Sequence, residues 1–302
     1  MSSETLDESI VEALMNQPRA SVVALADRLH APRAVVAKRL GHLLSQELVR
    51  VVATVHPKFL SLDVIAHVSI VTCGPAEDLA DWIASWETCT LVSTTAGACH
   101  VVTELRMSTH QQLQQTLDGL REHDAVLQLN TVVYVELVKA HVEHEEYAPL
   151  RIDRTDRKLI KALEDNGRLG WKALSELTGK SPSAVRSRVH RILDSRIARI
   201  IVVESRGGGS TPASVGVGLA LSESSSQVLS RLSDIEGVEF AVTCIGQFDG
   251  VLTVRRASPV AIDRCLEQIR ADPGVRSFVT WFHLRSVKVD YVRGALAASD
   301  PS

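Results

Sequence analysis

A shift of 149 positions lays this sequence on itself. Under it Asp7 falls on Asp156, Ala13-Leu14 on Ala162-Leu163, Arg19 on Arg168, Val36 on Val185, Arg39 on Arg188 and Leu44 on Leu193. The same offset, without a gap, brings Gly97 onto Gly246, Arg106 onto Arg255, Arg121 onto Arg270, Val126 onto Val275 and Val138-Lys139 onto Val287-Lys288. Two copies of one unit, each itself in two parts, therefore fill nearly the whole chain.

Length and composition bound what the copies can be. The 302 residues, 45% hydrophobic, suit two to four globular domains. No apolar run approaches the roughly 20 residues that span a bilayer. The start, MSSETLDESI, is acidic where a secretion signal is basic and then apolar, so a cytoplasmic protein without a membrane role is expected. Cys73, Cys89, Cys99, Cys244 and Cys265 form an odd set with no CxxC pair, which argues for small buried thiols rather than a disulfide framework or a zinc ribbon. No metal and no cofactor is expected.

The formal net charge of −3 hides an asymmetry. Arg151 to Arg199 carries 13 basic and 6 acidic side chains, a net +7, whereas the corresponding Glu4 to Lys58 reaches only +1 and the remainder sums to −11. Local positive charge on an otherwise acidic chain suits one face meeting a polyanion while the rest avoids it.

The basic stretch has helical spacing at Leu159-Ile160 and Leu163, at Leu174 and Leu177, and at Val185, Val189 and Ile192. Three short helices follow from it. Thr178-Gly179-Lys180 is a turn of the kind that joins the helices of a helix-turn-helix. Ser181-Pro182 announces the third helix, the hydroxyl as a cap and the proline in the first turn. Ile197 to Val203 is β-branched and suits a wing. Burying Val185, Val189 and Ile192 leaves Ser183, Arg186, Ser187 and Arg191 on other faces, with Arg188 at the edge; these groups suit phosphates and base edges in a major groove. The first copy keeps Arg33, Lys38 and Arg39, but Pro32 replaces the capping Ser181.

The second part of each copy alternates like strands. Val64 to Val71, Glu77 to Trp86, Thr90 to Thr94, Val101 to Leu105, Thr109 to Arg121 and Thr131 to Val138 read as β-α-β-β-α-β, the split unit of ferredoxin-like folds. Val215 to Leu221, Ser225 to Ser233, Val238 to Thr243, Gly250 to Arg255, Pro259 to Arg270 and Phe278 to Lys288 repeat it. Such a sheet leaves one face bare. Val64, Val68, Val132, Tyr134, Val217, Leu219 and Trp281 are expected on that face, covered by the other copy.

These residues resemble the leucine-responsive regulator/AsnC (Lrp/AsnC) family of prokaryotic transcription factors, over about Leu6 to Lys288. The most specific stretches are Asp153-Arg-Thr-Asp-Arg-Lys-Leu-Ile-Lys-Ala-Leu with Asn166-Gly-Arg168, Ser181 to Leu193, and the turn Gly246-Gln-Phe-Asp249. The resemblance implies winged helix-turn-helix modules joined to α/β domains that dimerise through their sheets and bind amino acids or related metabolites. Its effector turn, Gly-x-aromatic-Asp, is kept as Gly246, Phe248 and Asp249 but becomes Gly97-Ala-Cys-His100 in the first copy. An imidazole is a poor partner for an ammonium, so the first pocket is expected either to bind something else or to be purely structural. A carboxylate in a turn also serves its own backbone as readily as a ligand, and a turn histidine is more often structural.

The expected fold class is therefore α+β, a tandem repeat of winged helix-turn-helix plus ferredoxin-like βαββαβ sensor domain. The domains are 1–58, 59–145, 150–206 and 211–292, with a tail at 293–302. The expected partners are double-stranded DNA, touched by Arg33, Lys38, Arg39, Ser181, Ser183, Arg186, Ser187, Arg188 and Arg191, an amino acid-like effector at Gly97, His100, Gly246, Phe248 and Asp249, and further copies of the chain in a homo-oligomer. Gly207-Gly-Gly-Ser210 lacks the ending of a phosphate loop and reads as a connector; His141-Val-Glu-His144 reads as a solvated hinge. Two other functions compete. Tetrapyrrole decarboxylases resemble the same fold, against which stand the basic third helix and only 4% aromatic residues. A DNA-architectural protein without an effector is the other.

Overall fold

The computed structural model describes residues 3–139, 148–204 and 213–289, with the side chains of 3–5, 57, 58 and 204 left aside. The connector at Gly207 to Ser210, the hinge at His141 to His144 and the tail 293–302 lie outside the described residues. The first copy runs α1 (Ser3–Asn16), α2 (Val22–Arg28), α3 (Arg33–Ser45), β1 (Val49–Val55), β2 (Val64–Thr72), α4 (Glu77–Ala84), β3 (Cys89–Gly97), β4 (Val101–Met107), α5 (His110–Arg121) and β5 (Val126–Lys139). The second runs α6 (Arg154–Asp165), α7 (Trp171–Thr178), α8 (Pro182–Asp194), β6 (Ala198–Glu204), β7 (Ala213–Leu221), α9 (Ser225–Ser233), β8 (Val238–Gly246), β9 (Gly250–Arg256), α10 (Pro259–Ala271) and β10 (Val275–Val289). The bounds of α3, β1, β2, β3 and β4, moved by the repeat offset, are those of α8, β6, β7, β8 and β9.

The segments expected as four successive domains come together in pairs. One compact unit takes the helical part of both copies, the other takes both sheets. In the helical unit, Ile10, Leu14, Leu25, Val36 and Leu40 bury a first core. Leu159, Leu163, Leu174, Val185 and Val189 bury a second, to which the first copy's Ala53 also belongs. Of the helically spaced pair Leu174 and Leu177, Leu174 is buried and Leu177 is 51% exposed. β1 and β6 pair antiparallel with Val52 opposite Ile201 at the centre of the register. Ile201 is the repeat counterpart of Val52, so a local twofold passes between them. The expected wing is thus a single strand per copy whose partner comes from the opposite copy.

In the other unit, eight strands close into a barrel in the order β10-β3-β4-β2-β5-β8-β9-β7. Closure leaves no free sheet edge. The seams are made by the last strand of each copy: β5, beyond its pairing with β2, runs on to pair with β8, and β10 runs on from β7 to β3. β5 starts at Val126, five residues before the expected Thr131, with Leu127 70% exposed. The bare-face assignment needs correcting. Val64 and Val68 pack under α4 and α5, and Val217 and Leu219 under α9 and α10, in the helix-covered cores. Val132, Tyr134 and Trp281 do face the other way, into a cluster with Cys99, Val102, Val242, Cys244 and Val251. Side chains alternate along a strand, and β2 has buried residues on both faces, so apolarity alone leaves its parity open. Cys73 is the one exposed thiol of the five.

Candidate nucleic-acid interface and effector turns

α8 begins as its sequence requires. Gly179 ends α7 in the left-handed region at φ +66°, Ser181 accepts a hydrogen bond from the Ala184 N–H at 3.3 Å, and Pro182 occupies the first turn. Such a cap is worth about 1 kcal/mol. Ser181 is thereby a capping residue, and its hydroxyl also lies 3.1 Å from that of Ser183. Ser183, Arg186 and Ser187 are exposed along the helix.

Arg188 and Arg191, expected at DNA, also have intramolecular partners. Asp156 on α6 is fully buried, and its Oδ1 accepts from Arg188 at 2.8 Å and its Oδ2 from Arg191 at 2.7 Å. Arg188 also reaches Asp153 Oδ2 at 2.7 Å. Asp153 and Asp156 cap α6 reciprocally, and the hydrogen bond from the Asp156 N–H, followed by that from Arg188, holds the Asp153 carboxyl below the ordinary carboxylate range. A buried carboxylate stripped of such partners is strongly destabilising. The network therefore fixes the angle of α8 on α6 and leaves Arg186 as the guanidinium turned outward.

The first copy repeats the pair and not the network. Arg39 Nε donates to Asp7 Oδ1 at 2.7 Å, so Arg39 is the structural counterpart of Arg188. His42 stands where the second copy has Arg191. Pro32 precedes α3 without a side-chain cap, and Arg33 and Lys38 are exposed.

The repeat pair Arg19 and Arg168 joins the two copies. Arg19 donates to the carbonyls of Gly167 and Leu169, both at 2.7 Å, and Arg168 donates to those of Pro18 and Ala20, both at 2.6 Å. Gly167 and Leu169 are the counterparts of Pro18 and Ala20, so the clasp obeys the local twofold. Burial lowers both guanidinium pKa values, and for Arg19 the charge of Arg168 adds to it. Arg19 also lies over the Trp171 ring at 4.5 Å. Sequence reasoning aligned these arginines without assigning them; their recurrence next to the helix junction was the available signal.

The effector turns are built by the residues expected to bind. Gly97 and Gly246 have φ of +115° and +138°. A Cβ on Gly97 would lie 2.7 Å from the Thr280 carbonyl oxygen, and one on Gly246 would lie 2.4 Å from that of Thr131, its repeat counterpart. The His100 Nδ1 accepts from the Thr72 N–H at 3.1 Å, and the Asp249 Oδ2 accepts from the Leu221 N–H at 2.8 Å. Thr72 and Leu221 are counterparts too. Imidazole and carboxylate thus do one job, tying the turn to the end of the neighbouring strand, although Asp249 remains exposed. Phe248 lies against Gly218, its ring 6.1 Å from that of Trp281. Gly97, His100, Gly246 and Asp249, expected to bind a ligand, thus also build their turns. Among the described residues no group of three or more His, Cys, Asp or Glu is placed to hold a metal, and no helix is long and apolar enough to cross a membrane.

A capped helix-turn-helix followed by a β-α-β-β-α-β domain defines the class. The family model of the AsnC-type helix-turn-helix domain matches residues 152–192, and that of the Lrp/AsnC ligand binding domain matches 213–292. The chain belongs to the Lrp/AsnC family. It is 34% identical over 134 residues to the HTH-type transcriptional regulator LrpA of Mycobacterium tuberculosis, covering 42% of this chain and 86% of that one. With the HTH-type transcriptional regulator LysM of Saccharolobus solfataricus it shares 24% over 124 residues, 41% of this chain and 87% of the relative. Over both copies the fold is similar to that of the siroheme decarboxylase NirDL, with a TM-score of 0.65 at 11% identity over 95% of this chain and 94% of that one.

Proposed function

We propose that the chain is a cytoplasmic, non-enzymatic transcriptional regulator in which two winged helix-turn-helix modules and two ferredoxin-like sensor domains, with the boundaries given above, act as a fused dimer. The two modules read non-identical half-sites of double-stranded DNA, about 34 Å apart if they follow the spacing of dimeric readers. The observation that carries this is α8: a capped, basic helix presenting Ser183, Arg186 and Ser187 while buried Asp156 anchors Arg188 and Arg191. α3 presents Arg33 and Lys38 and has neither the cap nor the second arginine. Regulation comes from an amino acid-like metabolite on the ligand-binding domain, with the exposed Asp249 as the side chain best suited to an ammonium group, and from assembly of further copies.

DNA affinity measured against salt tests the division between the copies. Each phosphate contact contributes about 0.9 to the slope of log affinity against log salt. Arg186→Ala is expected to lower both slope and affinity more than Lys38→Ala; the opposite order refutes the reading. One observation favours a second reading, an enzyme of the siroheme decarboxylase kind: the NirDL fold likeness spans both copies. Tetrapyrrole absorbance in the purified protein, without binding to its own promoter region, would select it.

A further inference from the structure

The two sheets that form the barrel are alike in backbone and unlike in filling. Trp281 on β10 is 1% exposed and sits opposite Gly216 on β7 and Gly97 on β3. A Cβ on Gly216 would lie 2.1 Å from the indole, so the ring occupies the hollow that this glycine leaves. Its face stacks on His67 of the first copy, with centroids 5.2 Å apart and planes at 29°. The counterpart of Trp281 is Val132, and the counterpart of Gly216 is His67. A second layer follows the same rule. Phe248 fills the place over Gly218, where a Cβ would meet its ring at 2.5 Å, while the first copy has Cys99 and Ser69 at the two positions. Large rings and bare backbone belong to the second copy, and small side chains with one imidazole to the first.

The polar atoms argue that shape is what matters here. His67 Nε2 and Trp281 Nε1 are buried and have no hydrogen-bond partner. Orphaned buried polar groups cost stability, so two such rings in contact contribute through fit and stacking. The local twofold decides what like pairings would do. Two second-copy sheets would exchange His67 for a glycine as well as Val132 for an indole, so that indole would face indole where Trp281 now stacks on an imidazole, and a core of similar volume but altered shape forces side chains off their rotamers. Two first-copy sheets would exchange Gly216 for an imidazole as well as Trp281 for a valine, bringing a second buried imidazole to where the first already has no partner for its Nε2.

We propose that this seam is a recognition surface for the unlike copy: the second-copy sheet accepts a first-copy sheet, of its own chain or of another copy of the chain, and rejects a sheet like itself. Pairing of sensor domains is then heterologous by construction, which keeps the fused chain from exchanging its halves in like pairs. The lock stands independently of what the chain binds.

Thermal unfolding of full-length variants tests it. H67G/V132W gives both copies the indole and the hollow; G216H/W281V gives both the imidazole and the valine. Each is expected to lower the Tm by at least about 6 °C, whereas the fourfold exchange H67G/V132W/G216H/W281V, which moves the knob to the other copy, recovers at least about half of that loss. Like-paired variants within about 2 °C of the parent, or a fourfold variant no more stable than either, would overturn the proposal. A smaller cycle guards against a variant that fails to fold. Gly216→Ala is expected to destabilise the parent and to be nearly neutral beside Trp281→Leu; an equal loss in both backgrounds would show that the indole does not depend on the hollow.

Discussion

Acidification from about pH 7.5 to about pH 5 singles out His67. The side chain is 6% exposed and stacked on Trp281, and burial lowers its pKa from the ordinary 6.5 to about 4. Glu104, opposite on β4, is held by Arg106 and by the Thr90 hydroxyl. The folded chain thus refuses a proton that the unfolded chain accepts below pH 6.5. Stability from neutral His67 is complete above that pH and is lost as the pH falls toward 4. The two pKa values give a loss of about 2 kcal/mol at pH 5 and about 3 kcal/mol at pH 4. For a unit of this size that is a Tm lower by about 4–8 °C at pH 5. Carboxylates held low, such as Asp153 and Asp272, lose their contributions at still lower pH in parent and variant alike. His67→Phe keeps a ring against Trp281 and removes the titration. Calorimetry of both proteins across this range is expected to show the parent falling toward the variant by that amount; parallel curves would refute the buried neutral imidazole.

Two further outcomes follow from the twofold. Gly97→Ala and Gly246→Ala each put a Cβ against a backbone oxygen at positive φ, and each is expected to destabilise by at least about 2 kcal/mol in chemical denaturation, whatever effector is present. Arg168→Lys and Arg19→Lys each break a two-pronged grip on carbonyls and are expected to cost about 2 kcal/mol apiece; a large loss for one and none for the other would contradict the reciprocity.

The local elements were legible because their signals are local. The Ser181-Pro182 start, the Gly179 stop and the Val185-Val189-Ile192 stripe give α8, and alternation gives most strands. The exposure of Leu177 was not legible, because helical spacing identifies a stripe without saying that a partner covers it. Val64 and Val217 were put on the wrong face because an apolar β-branched run has no parity of its own. At the candidate site, Ser183 and Arg186 were readable as outward residues. The ion pairs of Arg188, Arg191 and Arg39 were not readable because their partners, Asp156 and Asp7, lie on other helices, and a guanidinium looks the same in sequence whether it faces solvent or a buried carboxylate.

The sequence by itself determined the duplication, the order of elements in each copy and the charge difference between the two helical modules, since all three depend on residues near one another or on the offset between copies. Only the tertiary structure decided that the copies interlock. The pairing of β1 with β6, the exchange of Arg19 and Arg168 across the twofold, the crossing of β5 and β10 into the opposite sheet, and the stacking of Trp281 on His67 all join residues more than 100 positions apart in sequence and adjacent only after packing. Contacts between copies are set by complementary shape and by which buried groups find partners, and neither quantity belongs to a single segment.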